Sequence, residues 1–186
     1  MSNKNNGSGL SGMLGETVSV RKVRGQVVVT NRPRRRAGKP SEKQASVQEK
    51  FLEASQYANR QIAQAESNAL YAAGITGKKR SAYLVAMSDY LSAPKVSSID
   101  ILDYRGAIGD TIVVKAVDDF MVTKVKVVIA DAAGSILEEG EAGPDAQQVN
   151  LWQYKARAVN PTLAGTTVRA YAYDRPGNTG KAEVVL

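Results

Sequence analysis

The sequence predicts an α+β chain: a basic N-terminal arm with a β-hairpin, two helices, then a seven-stranded β-sandwich. Three observations carry this reading. Apolar residues step by three and four between Val47 and Ala69, the helical period. From Ser97 onward they alternate, with turn signals at about every tenth residue, the pattern of short strands. The charge is also divided. Residues 1–80 carry 15 Lys+Arg against 5 Asp+Glu, and residues 81–186 carry 10 against 13. A +10 front is thus joined to a −3 body within a 186-residue chain of formal charge +7.

Residues 1–15 are mostly Gly, Ser and Asn, and read as a flexible tail that cannot bury enough surface to offset its ordering entropy. No continuous apolar stretch there makes a signal peptide, so synthesis and first residence are expected in the cytoplasm. No run reaches the length of a membrane span, and no membrane partner is expected. Residues 16–40 form a basic hairpin and linker. Val18, Val20 and Val23 precede Arg24-Gly25, and Val27 and Val29 follow, which reads as a hairpin turning at Arg24-Gly25. Asn31 to Pro40 is a basic linker held extended by Pro33 and Pro40.

Residues 41–94 read as a pair of helices. Ser41 and Gln44 have capping-box spacing, and one long helix is expected to run to about Ala73. Its stripe, Val47, Phe51, Ala54, Ala58, Ile62, Ala65 and Ala69, is rich in Ala and suits close packing. Gly74 and Gly77 end it. A second helix, Ser81 to Leu91, stops before Pro94.

Residues 97–186 supply seven candidate strands: Ser97–Asp103, Thr111–Val117, Lys124–Ala130, Ser135–Gly140, Gln148–Ala158, Thr166–Asp174 and Ala182–Leu186. Such a series is the pattern of a β-sandwich of immunoglobulin type, with Trp152 as the natural core anchor. The segment Ala116-Val117-Asp118-Asp119-Phe120-Met121-Val122, then Trp152-Gln153-Tyr154, then Ala170-Tyr171-Ala172-Tyr173-Asp174-Arg175-Pro176-Gly177-Asn178, resembles bacterial Ig-like domains. The resemblance implies a spacer, adhesive or assembly module without catalysis. The front is similar to small proteins of Bacteroidota and their phages. Ig-like modules of this kind are commonly secreted. A chain without a signal would then work inside the cell or leave with a released particle.

Chemistry is limited by composition. There is no His and no Cys, which excludes Cys nucleophiles, disulfides, Cys/His zinc sites and His-based relays. Neither a dinucleotide-binding nor a Walker glycine loop occurs, and no cofactor or small-molecule substrate is expected. The binding residues proposed from sequence are Arg21, Lys22, Arg24, Arg32, Arg34, Arg35, Arg36, Lys39 and Lys43. They suit phosphate, through bidentate guanidinium contacts, or an acidic face of a neighbouring subunit. No aromatic residue interleaves them, so base stacking has no platform.

Asp118, Asp119, Asp174 and Asn178, with Asp110 near, sit at turns where clustered oxygens could hold Ca²⁺. Turn capping is the preferred reading, since no Ca²⁺-loop spacing is complete, and no metal site is assigned. Glu138, Glu139 and Glu141 read as a solvated edge, or as an acidic surface for another copy's arm. Tyr57, Tyr71, Tyr83 and Tyr90 read as packing residues with wet hydroxyls. The chain is therefore expected to be a non-enzymatic assembly protein of phage or injection-system type. Its arm and hairpin would lace copies together as a homo-oligomer, with the sandwich as exposed body. The alternative is sequence-independent nucleic-acid binding by the arm.

Overall fold

A computed structural model describes residues 12–14, 18–23, 26–31 and 39–186. The chain divides into two compact units, Met1–Ser41 and Glu42–Leu186.

The front unit is a three-stranded antiparallel sheet of order β1-β2-β3, made of β1 (Gly12–Leu14), β2 (Val18–Val23) and β3 (Gln26–Asn31). The expected hairpin is β2–β3. Its last pair is Val23 with Gln26, and the turn residues Arg24 and Gly25 lie outside the described residues. Gly12–Leu14, read from sequence as part of a flexible tail, instead pairs with Val18–Val20. The rest of that tail and most of the linker, 32–38, also lie outside the described residues. Val20 faces Val29, and Lys22 faces Val27, so these side chains share one face of the sheet. Val20 is the one buried apolar side chain described in this unit, whereas Val27 and Val29 stay 49% and 62% exposed.

The second unit has three helices, not two: α1 (Glu42–Ala63), α2 (Ala65–Ala73) and α3 (Ala82–Leu91). The expected continuous helix breaks at Gln64, whose ψ is 119°. Neither Gly nor Pro stands there, so the cause is tertiary. The break turns α2 so that Tyr71 is buried with its ring stacked 4.7 Å from that of Phe120. Ser81 caps α3, its Oγ accepting from the Leu84 N–H at 3.3 Å. The helical core consists of Ala54, Tyr57, Ala58, Tyr71, Val85, Ala86 and Met87, with Phe120 packed against it. Gly74 makes that possible, because a Cβ there would lie 2.7 Å from Phe120. The first turns of α1 take no part. Val47, Phe51 and Leu52 are 67%, 55% and 59% exposed.

Seven strands follow: β4 (Lys95–Asp100), β5 (Thr111–Val117), β6 (Val122–Ala130), β7 (Ile136–Pro144), β8 (Leu151–Lys155), β9 (Thr167–Asp174) and β10 (Thr179–Val185). They form one antiparallel sheet of order β10-β9-β6-β7-β8-β5-β4. The strand β7 turns the corner. It pairs with β6 up to Ala142, and its last residues, Gly143 and Pro144, pair with β8. The outer strands then meet: a Cβ on Gly180 of β10 would fall 1.8 Å from the Pro94 carbonyl oxygen beside β4. The sheet is thus nearly closed into a barrel. Alternation fills its interior with Ile112, Val114, Val125, Val127, Ile129, Val168, Ala170 and Ala172. Tyr154 is the buried aromatic of β8. Trp152, expected as the anchor, is only partly buried at the rim of this core.

Candidate functional site

The polar centre of the second unit lies where α2 and α3 meet the β5–β6 loop and the β9–β10 turn. Three carboxylates converge there: Asp89 of α3, Asp118 just after β5, and Asp174 at the end of β9. One oxygen from each lies within 4.8 Å of the others. Asp89 is fully buried, Asp174 is nearly so, and Asp118 is half-buried.

Each carboxylate is held by local chemistry. The Tyr71 hydroxyl donates to Asp89 Oδ2 at 2.6 Å, and it shares a 2.7 Å hydrogen bond with the Tyr57 hydroxyl. Asp118 Oδ2 accepts from the backbone N–H groups of Phe120 and Met121 at 3.2 and 3.0 Å. Asp174 Oδ1 accepts from Gly177 N–H and Asn178 N–H, and its Oδ2 from Asn178 Nδ2 at 2.7 Å. Asn178 Nδ2 also reaches the Tyr90 carbonyl at 3.2 Å, tying the turn to the end of α3. The remaining oxygens, Asp89 Oδ1 and Asp118 Oδ1, are buried without a hydrogen-bond partner.

Burial raises the Asp89 pKa to about 7. The charges of Asp118 and Asp174, and a hydrogen bond that protonated Asp89 can make to Asp118, add to the rise, and the Tyr71 hydrogen bond opposes it. Burial raises Asp174 as well, against the hydrogen bonds from Asn178 and Gly177. Burial, reinforced by the bond to Asp89, holds the Tyr71 hydroxyl far above the ordinary tyrosine range, so it remains a donor. Arg175 donates to Ser67 Oγ at 2.7 Å and lies over the Tyr71 ring. Such a cluster can share a proton or hold a cation.

The sequence-derived residues divide. Asp118, Asp174 and Asn178 meet here, but Asp119 does not. It pairs with Lys79 at 2.6 Å and accepts from Ser88, and the Lys79 bond lowers its pKa. Asp110 caps its own turn through Arg105 N–H and Ala107 N–H. Glu139 and Glu141 pair with Lys126 and Lys124 of β6. Glu138 is not a solvated edge residue: its Oε2 accepts from the Tyr154 hydroxyl and the Arg157 N–H, both at 2.9 Å. The Tyr57 and Tyr71 hydroxyls, expected to be wet, are buried in the hydrogen-bond chain. Tyr83 and Tyr90 bond Ser55 and Glu53. Of the basic set, Arg21, Lys22, Lys39 and Lys43 are exposed. Arg24, Arg32, Arg34, Arg35 and Arg36 lie outside the described residues.

Asp89 was missed from sequence, although it left a signal. It is the one charged residue between Ser81 and Leu91, on a helix whose neighbours Val85, Ala86 and Met87 are core.

No helix of the described residues is long and apolar enough to cross a membrane. No family model matches the chain, and no curated protein matches it. Among solved structures, a tetra-tandem repeat in the extending region of a large adhesion protein aligns at 22% identity with a TM-score of 0.33. The alignment covers 50% of this chain and 22% of that one, so this chain spans about a fifth of its length.

Proposed function

We propose that this chain is a non-enzymatic assembly subunit whose N-terminal hairpin and basic arm engage a second copy. On this reading the closed sheet is an Ig-like sandwich serving as the exposed body. The observation that carries the proposal is the uncovered face of the front sheet. β3 is an edge strand, and its Val27 and Val29 stand about half exposed beside the buried Val20. A three-stranded sheet with one buried apolar side chain among its described residues has little to hold it folded in water. Covering what remains exposed of both valines would contribute about 1–2 kcal/mol each, and an edge strand is open to pairing with another chain. The exposed Val47 and Phe51 of α1 add a second uncovered stripe. Charge is complementary between copies, +10 for residues 1–80 against −3 for 81–186.

Light scattering coupled to size exclusion on the full chain tests this. An oligomer that Val27→Asp with Val29→Asp dissociates is expected. A monomer at high concentration overturns the proposal. If the monomer binds duplex DNA with a log–log salt slope near −5, for about six neutralised phosphates, the basic arm serves nucleic acid instead.

A further inference from the structure

We propose that Asp89, Asp118 and Asp174 bind one hard divalent cation of the Ca²⁺ type, which clamps α3 to the β5–β6 loop and the β9–β10 turn. Carboxylate oxygens are the ligands such ions select. A Ca²⁺ shell of about 2.3–2.6 Å radius places opposite ligands roughly 4.6–5.2 Å apart, and the three oxygens fit inside that span.

The convergence of three acids would not suffice by itself. The independent sign is the pair of orphaned atoms. Asp89 is completely buried, with its Oδ2 satisfied by Tyr71 and its Oδ1 buried without a partner. Asp118 Oδ1 is buried in the same condition. A buried acceptor without a donor is costly and rare, and two in one cluster call for a shared positive partner. Among the described residues the ion pairs are Lys79–Asp119, Lys124–Glu141, Lys126–Glu139 and Arg169–Glu183, and none reaches these three acids.

The second oxygens explain the rigidity of the site. Tyr71 holds Asp89 Oδ2, and the Phe120 and Met121 amides hold Asp118 Oδ2, leaving one unpartnered oxygen on each, whereas Asp174 is fixed through both oxygens by Gly177 and Asn178 and would share one of them with the ion. Burial favours Ca²⁺ over Mg²⁺, which gives up its water shell reluctantly. Half-buried Asp118 leaves the side from which the ion and its remaining waters reach the site.

The test uses the full chain, stripped with a chelator near neutral pH and titrated with Tb³⁺ as a Ca²⁺ substitute. Tyr71 touches Asp89, so tyrosine-sensitised emission reports this site. Saturation at one ion per chain is expected, with displacement by Ca²⁺ at concentrations about tenfold or more below those of Mg²⁺. Asp89→Asn and Asp118→Asn should each weaken binding ~10-fold or more, whereas Glu141→Gln should leave it unchanged. Calcium at about 100 times Kd should raise the folded-to-unfolded ratio about 100-fold. No saturable emission and no calcium-dependent stabilisation up to millimolar ion would overturn the proposal and leave a proton shared between Asp89 and Asp118. Binding that survives in both Asn variants would overturn it equally. If Asp89→Asn does not fold, Asp118→Asn decides, since its amide oxygen still caps the turn.

Discussion

Replacing Asp89 with Asn should stabilise the metal-free chain at alkaline pH and flatten its pH profile. The folded Asp89 carboxyl keeps its proton up to about pH 7, against 3.8 for the free group. Between those values the folded state holds more protons than the unfolded state, so stability must fall as pH rises. It is greatest below the unfolded pKa and levels off above the folded one. Asp174, also raised, acts in the same direction. At about 1.4 kcal/mol per unit, the loss between about pH 5 and 8 is roughly 3 kcal/mol. For a unit of this size that is a drop in Tm of roughly 6–12 °C. Asn has the shape of the protonated acid. Its oxygen can accept from Tyr71, and its amide can donate to the orphaned Asp118 Oδ1. Scanning calorimetry in chelator across this pH range measures the effect. The expected result is a sloping wild type, and a variant that is flatter and more stable at the upper end. A wild-type Tm that is flat or rises, or a variant several degrees less stable at the upper end, would refute the reasoning. Calcium should restore the wild type there at concentrations that move the variant little.

Two further substitutions probe the surroundings. Tyr71→Phe keeps the stack on Phe120 but removes the hydroxyl between Tyr57 and Asp89, stranding buried partners on both sides. It should cost ~2–3 kcal/mol, seen as a lower urea midpoint at unchanged slope. Gly180→Ala places a methyl group against the Pro94 carbonyl, which is backbone and cannot swing aside. The seam between β10 and β4 should open at a cost of about 3 kcal/mol or more in thermal unfolding, whereas Gly143→Ala, with open space around it, should be tolerated in packing.

Much of the strand pattern was legible because one face of each strand is buried and the other is not. Thr111–Val117 was read to the residue, since Ile112, Val114 and Ala116 are all core. Boundaries slipped where pairing, not hydrophobicity, sets the end. Pro144 belongs to β7 only through its pairing with β8, and Thr179 to β10 through Tyr173. The break at Gln64 was not legible, because no Gly or Pro marks it, and the Phe120 ring against which α2 buries Tyr71 is distant in sequence. The acidic centre was half legible. Asp118 and Asp174 stood out as turn residues, but no local pattern told them from Asp119, whose partner is Lys79. Trp152 was overvalued for its size: its position on β8 puts it at the rim, and Tyr154 takes the interior.

The arrival of Phe120 in the helical core also bears on how the chain folds. The helices draw mainly on local contacts, yet their core is completed by Phe120 from the β5–β6 loop. They are then fastened by Arg175 to Ser67 and by Asn178 to the end of α3, pairs 108 and 88 residues apart. Closing loops of that length is an entropic demand met late, after strands from opposite ends of the sheet have paired. The helical pairings therefore form early but cannot lock early. The second unit should fold and unfold as one cooperative body, with its rate set by the sheet.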